Sequence, residues 1–352
     1  MQRRQLLLQL SGFTLALGSA QLLKGCQTDD GEENEDNNEA TMPPPKELHF
    51  GILTTEPEAD LIPKWKPFLA DLSVAVGLPV KPFFAHQYSS LIESMRSGVI
   101  QIAWLGGKTY IEAVTVADAQ AFALTVSDGG ERGYYAHLLT HSDRPWLKQV
   151  KDGEEPLDYL LKNGQDITFA FNDINSTSGY LVPMYYLFAK NQIDPLKHLK
   201  NVVFLGSHEE TILAVAEQRV DVVTNNSEAL DRFRKKFSDK AKAVQIIWTS
   251  PLIPADPIAY KAQLPEALKE KIRNFFYGYK NQAVLNALDW SGFDPATDQD
   301  WNPIRELEIG KQILEIKDNK LIGEEEKKNI LLGLQERLDA LQTDGTTKPP
   351  TP

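Results

Sequence analysis

Two stretches of the chain repeat one pattern of apolar and polar positions. In the first, Leu91, Ile92 and Met95 recur at helical spacing between Tyr88 and Gly98, and Val99-Ile100-Gln101-Ile102-Ala103-Trp104 follows as an apolar run of strand length. In the second, Ile212, Leu213, Val215 and Ala216 mark a helix over Glu209 to Gln218, and Val220-Asp221-Val222-Val223-Thr224 is the strand. Each helix opens at a polar or aromatic cluster, Gln87-Tyr88-Ser89 or Ser207-His208-Glu209. Each strand closes at another, Trp104-Leu105-Gly106-Gly107 or Asn225-Asn226-Ser227-Glu228. A helix–turn–strand unit used twice predicts an α/β protein of two similar lobes. Ligand chemistry then belongs at the carboxyl ends of the strands, where these clusters fall.

The remaining periodicity sets the lobe boundaries. Leu48 to Leu53 reads as the opening strand, and Gly133 to Leu139 as a crossing into the second lobe. Val244 to Trp248 and then Ile253 to Tyr260 read as the return. Leu264 to Tyr279 is a helix on the first lobe, and Glu324 to Leu341 is amphipathic, with Ile330, Leu331, Leu334 and Leu338 on one face. The predicted division is lobe 1 over 47–135 and 256–342 and lobe 2 over 136–255, with a hinge near 136–141 and 247–255 and a disordered tail over 343–352. A length of 352 residues, beyond the usual single core, agrees with two lobes.

The N-terminus breaks the pattern. Arg3 and Arg4 precede an apolar stretch, Leu6 to Leu23, interrupted by small and polar residues. Residues 1–25 therefore read as a signal peptide rather than a permanent span, with an uncleaved anchor as the other possibility; both place the globular part outside the cytoplasm. Leu22-Leu23-Lys24-Gly25-Cys26 resembles a bacterial lipobox, which implies lipidation of Cys26, and the arginine pair resembles a loose twin-arginine signal. Residues 26–46 are acidic, then Pro43-Pro44-Pro45, with almost no large apolar residue: a disordered tether. Cys26 is the only cysteine, so the chain has no internal disulfide framework. Without residues 1–25 the balance is 34 basic against 49 acidic side chains, net −15. That argues against nucleic acid as a partner. A small anion stays possible, because a few oriented N–H groups outweigh distant charge at short range.

One segment carries the clearest chemistry. The strand-like Ile167-Thr168-Phe169-Ala170-Phe171 leads into Asn175-Ser176-Thr177-Ser178-Gly179, and a helical pattern runs from Gly179 to Lys190. Hydroxyls at a strand-to-helix junction suit an oxyanion, because the first helical N–H groups lack partners and carry the positive end of the dipole. Plain helix capping explains the same residues. His208, at the start of the second repeat's helix, and Asp256, set between Pro254 and Pro257 in an apolar run, are further candidates.

With these residues in place, the chain resembles the periplasmic phosphonate-binding proteins of phosphonate ABC transporters, from about Leu48 to about Leu341. The resemblance rests on Pro63-Lys64-Trp65-Lys66-Pro67-Phe68-Leu69, Phe83-Phe84-Ala85, Ile102-Ala103-Trp104, the Asn175 to Gly179 turn with Leu181-Val182-Pro183, Thr224-Asn225-Asn226-Ser227-Glu228 and Ser250-Pro251-Leu252-Ile253-Pro254-Ala255-Asp256-Pro257, in that order. It implies an α/β, two-lobed type II periplasmic-binding-protein fold with a hinge of two crossing segments. It implies a phosphonate group held by Tyr88, Tyr134, Ser176, Thr177, Ser178 and His208, and a ligand amine held by Glu228 and Asp256. It implies a lipid-anchored feeder of an ABC permease and its ATPase, monomeric, with no cofactor and no enzymatic activity. No Arg or Lys is among the expected contacts.

Two carboxylates beside an anion site repel a bare oxyanion and suit a ligand whose far end is an ammonium. The expected ligand is therefore an aminoalkyl phosphonate such as 2-aminoethylphosphonate, with phosphite or methylphosphonate as the alternative. A serine hydrolase built on Ser176 or Ser178, His208 and Asp256 lacks a Gly-x-Ser-x-Gly elbow. A metal site at His137 and His141 lacks a third ligand at suitable spacing. A ligand-sensing domain for a signalling partner would have the same two lobes.

Overall fold

The computed structural model describes residues 43–344. The signal segment, Cys26, most of the 26–46 tether and residues 345–352 lie outside the described residues. Thirteen strands form three sheets. They are β1 Leu48–Leu53, β2 Val80–Ala85, β3 Ile102–Trp104, β4 Ala119–Ser127, β5 Gly133–Tyr134, β6 Ala136–His141, β7 Thr168–Phe171, β8 Asn201–Phe204, β9 Val222–Asn226, β10 Val244–Thr249, β11 Ile253–Pro254, β12 Pro257–Lys261 and β13 Trp290–Pro295.

The first sheet has the order β13-β4-β12-β3-β1-β2 and the second β10-β6-β9-β7-β8. In each, the first strand of the parallel part is central: β1 pairs with β2 and β3, and β7 with β8 and β9. Helices cover both faces, so the central strands read as apolar runs. Phe50 of β1 packs with Trp65, Phe68 and Phe276 on one side of the first sheet, and Leu91, Met95, Tyr110 and Trp301 fill the other. Phe169, Phe171 and Phe188 fill one side of the second sheet, and Ile212, Val215 and Phe233 the other.

The sheets are joined through the third, a two-stranded ribbon of β5 and β11, with Ile253 opposite Tyr134. The expected crossing strand over Gly133 to Leu139 is interrupted at Tyr135, and Ile253 to Tyr260 is interrupted at Ala255-Asp256. The segment 136–141, expected near the hinge, is strand β6, buried throughout and paired on both edges. The β5–β11 ribbon lies just before 136–141 and within 247–255. Val99–Gln101 stays outside β3, and the last helix runs Glu324–Asp344, past the expected start of the tail.

Candidate functional site

The strand ends converge on one pocket. Its lining includes Tyr88, Tyr134, Ser176, Thr177, Ser178, His208, Glu228 and Asp256, the eight residues singled out from the sequence. Leu53, Thr55, Trp104, Gly106, Asn226 and Arg232 complete it. The open space inside is about 30 Å³, against about 500 Å³ in the neighbouring cleft that shares Tyr134, Glu228 and Arg232. The smaller one holds the hydroxyl constellation and suits a compact ligand.

The serine-rich turn starts a helix of unusual width. The expected helix from Gly179 begins instead at Thr177, and it is π-wound over Thr177–Leu181 and Met184–Ala189. Ser176 is its cap: Ser176 Oγ accepts from Gly179 N at 3.0 Å. Pro183 has no N–H to offer the Gly179 carbonyl four residues back. That carbonyl accepts instead from Thr224 Oγ1 at 2.7 Å and from Asn172 N at 3.3 Å. A side chain at 179 would place its Cβ 2.3 Å from Asn172 Oδ1, so only glycine lets the turn lie this close to β7 and β9. The hydroxyls are thus both caps and pocket lining. Thr177 Oγ1 also accepts from Lys108 N at 2.8 Å, and Thr109 Oγ1 donates to the Asn175 carbonyl at 3.0 Å, tying the turn to the first lobe.

Tyr88 and His208 are the first residues of the helices that follow β2 and β8. Both are buried, and Tyr88 Oη lies 3.5 Å from His208 Nε2 and 3.5 Å from Ser176 Oγ. Burial raises the Tyr88 and Tyr134 phenols far above their ordinary values, so both stay neutral hydrogen-bond donors. Burial and the charge of Arg232 lower His208 to about 4, only partly opposed by its bond to Asn225. The hydrolase geometry is not formed, because His208 Nδ1 faces Asn225 Oδ1 at 3.2 Å rather than a carboxylate.

The same lining carries two carboxylates. Asp256 follows the β11 crossing, and Glu228 sits in the first turn of the helix Ser227–Lys236, not in a loop. Burial, and then the charge of Glu228, push Asp256 well above the carboxylate range; Tyr134 and Trp104 act in the opposite direction. Burial raises Glu228 too, opposed by Arg232. Asp256 Oδ1 and Trp104 Nε1 are buried without a well-formed hydrogen-bond partner among the described residues.

Arg232 lines the pocket and is not among the residues expected from the sequence. It lies one turn beyond Glu228, and its Nε is 3.2 Å from Glu56 Oε1. Glu56 also holds Lys64 at 2.9 Å. The i, i+4 spacing of Glu228 and Arg232 puts both on one helix face. Further along that helix, Lys236 pairs with Asp60 at 2.7 Å and Lys235 with Asp289 at 3.0 Å, forming an ionic rim between the lobes. His137 and His141 are occupied elsewhere: His137 Nδ1 lies 3.0 Å from Thr249 Oγ1, and His141 Nδ1 accepts from Asp143 N at 3.0 Å.

Solved structures first define the class. The protein PhnD1 of Prochlorococcus marinus, solved in complex with methylphosphonate, has a TM-score of 0.65 at 18% identity, covering 74% of this chain and 97% of that one. The fold is that of type II periplasmic binding proteins. A binding protein component of the ABC phosphonate transporter of Pseudomonas aeruginosa is nearer, with a TM-score of 0.78 and 40% identity, covering 84% of this chain and 97% of that chain. The phosphonates-binding periplasmic protein of Escherichia coli is 41% identical over 300 residues, 84% of this chain and 86% of that protein. Residues 50–301 match the family of periplasmic substrate-binding proteins of phosphonate ABC transporters, and the chain belongs to that family.

Proposed function

We propose that this protein captures an aminoalkyl phosphonate, 2-aminoethylphosphonate being the model compound, and delivers it to an ABC permease and its ATPase after the lobes close about the β5–β11 ribbon. The observation that carries the reading is that Glu228 and Asp256, part-buried and both raised by that burial, share one pocket lining with Ser176, Thr177 and Ser178. A phosphonate group offers many lone pairs and needs many donors when buried. The three hydroxyls, the phenols of Tyr88 and Tyr134, the Asn226 amide and the helix-end N–H groups supply them. An ammonium at the other end would give Glu228 and Asp256 the counter-charge that Arg232, engaged by Glu56, only partly provides. The relatives named above are binding proteins of transporters, which supports a binding role rather than an enzymatic one. A monomer held to the membrane by lipid on Cys26 and the 26–46 tether completes the proposal.

The smaller anions phosphite and methylphosphonate are the second reading, favoured by Arg232 within the lining. Calorimetric titration of the purified protein with 2-aminoethylphosphonate, methylphosphonate, phosphite and phosphate separates the two. We expect the amino compound to bind most tightly. Glu228→Ala or Asp256→Ala should weaken it by ~2–5 kcal/mol, roughly 30-fold to several thousandfold. Equal or tighter binding of methylphosphonate would make the two carboxylates structural, and silence from all four ligands would remove the phosphonate reading.

A further inference from the structure

The amides around His208 settle which ring nitrogen carries the proton. Asn225 Oδ1 accepts from the Asn226 backbone N–H at 2.9 Å. Asn225 Nδ2 donates to the His208 carbonyl at 2.9 Å and to Thr211 Oγ1 at 2.7 Å. Turning this amide over would set donor against donor at Asn226 and acceptor against acceptor at the carbonyl. Oδ1 therefore meets His208 Nδ1 as an acceptor, and Nδ1 is the nitrogen that bears hydrogen. Nε2 is then the unprotonated nitrogen, an acceptor that faces the pocket beside Tyr88 Oη at 3.5 Å and Asn226 Nδ2 at 3.4 Å.

Its surroundings favour that state. Asn226 Oδ1 accepts from Ala229 N at 2.7 Å as a helix cap, which turns its NH₂ towards Nε2 at 3.4 Å and Ser178 Oγ at 3.3 Å. A donor beside Nε2 opposes a second ring proton. The Tyr88 helix presents a neutral phenol, and the serine-rich turn presents only hydroxyls, with Asp173 behind them. The Ser227 helix brings Arg232 and Glu228, and the crossing segment brings Asp256. On His208's own helix, Glu209 is paired with Lys236 at 2.7 Å and Glu210 with Arg219 at 2.8 Å. Burial and Arg232 act together to keep the ring neutral.

We infer that His208 is a specificity-determining acceptor: its bare Nε2 takes the hydrogen of a P–OH group, so the site selects a singly protonated oxyanion and rejects one that has no such hydrogen. This rests on the phosphonate reading above. Like a phosphate ester, whose second ionisation lies at about 6, a phosphonate keeps a P–OH form within reach of neutral pH. A sulfonate is fully ionised, and all its oxygens are acceptors. Any sulfonate oxygen aimed at Nε2 sets lone pair against lone pair in a buried site, a mismatch that such sites reject strongly. An aminoalkyl phosphonate in this form is a neutral zwitterion, and its ammonium meets Glu228 and Asp256.

The test uses two matched pairs on the full chain: 2-aminoethylphosphonate against taurine, and methylphosphonate against methanesulfonate. Each is titrated calorimetrically from about pH 5.5 to 8.5 with ¹⁵N-histidine spectra alongside, and His208→Gln identifies the resonance. In each pair that binds, the phosphonate should exceed the sulfonate by roughly a hundredfold or more. Its affinity should fall about tenfold per pH unit above its second ionisation, with one proton taken up per ligand. The Nε2 shift should remain that of an unprotonated nitrogen. His208→Gln, whose amide can turn a donor to the ligand, should narrow the gap about tenfold or more. A sulfonate bound within about threefold of its phosphonate, or an imidazolium signal from His208 in the complex, overturns the inference. Binding of methylphosphonate but not the amino compound removes the ammonium reading alone, and the second pair still decides the inference. No binding of either phosphonate overturns both.

Discussion

The two lobes share a strand order and differ in the chemistry they place at its ends. The parallel part of each sheet runs β2-β1-β3 or β8-β7-β9, and a helix follows each of these strands. Tyr88 and His208 hold equivalent positions at the start of the helix after the second strand, and their polar atoms meet 3.5 Å apart. Trp104 and Asn226 end the equivalent third strands. After the central strand the lobes diverge. The first lobe enters its helix through Pro57 with no side-chain cap, while the second enters through Ser176, capped and widened into a π-helix. The first lobe thus brings rings and phenols, and the second brings hydroxyls, amides and an imidazole. Repetition supplies a scaffold, and the few departures from it supply the polarity of the pocket lining.

The largest effect should come from breaking one core while leaving the other intact. Phe50→Ala removes a fully buried ring from the first sheet's aromatic cluster and should cost about 3–5 kcal/mol in denaturant unfolding. The variant should keep the wild-type ligand affinity where it remains folded, since Phe50 does not line the pocket.

The equivalence of Tyr88 and His208 sharpens under titration, because only the imidazole titrates in the acid range. The folded value of about 4 lies below the ordinary 6.5. Above 6.5 both folded and unfolded chains are neutral there, so His208 contributes its full stability. As pH falls from 6.5 towards 4, the unfolded chain takes up a proton that the folded one refuses, and stability declines by roughly 3 kcal/mol. Denaturant unfolding of wild type and His208→Asn at both ends of this window should differ by about that amount. Glu228 and Asp256, raised by burial, act with the opposite sign in the ligand-free protein and cancel in the comparison, being present in both chains.

The smallest effect belongs to the rim. Asp60→Ala removes the exposed ion pair to Lys236, leaves that lysine paired with Glu209, and should cost only about 0.2–1 kcal/mol, visible at low salt and fading as salt rises.

The repeated pattern could be read from apolar spacing because both sheets are covered on two faces, which leaves strands as apolar runs and the polar residues gathered at their ends. Tyr88, His208 and Glu228 fall in those end clusters, Asp256 stands out between two prolines in an apolar run, and their ligand roles follow from the family resemblance. Arg232 was not legible, since a helical Arg in a charged stretch resembles any solvent-facing one until the fold turns it inwards. The π-winding also escaped notice: Pro183 signals a missing N–H, but its consequence depends on Thr224, which lies in another strand. The segment 136–141 is apolar enough to serve either as a crossing or as an inner strand, and only the break at Tyr135 separates the two.

The ionic rim has a kinetic consequence. Lys235 and Lys236 lie outside the pocket lining, yet they pair with Asp289 and Asp60, and under the closure proposed above these pairs must part before a ligand leaves. Their attraction is screened over about 10 Å at 0.1 M salt. The dwell time of a captured molecule should therefore shorten as the surrounding electrolyte is concentrated. The medium then adjusts how long cargo is retained through charges that never touch it.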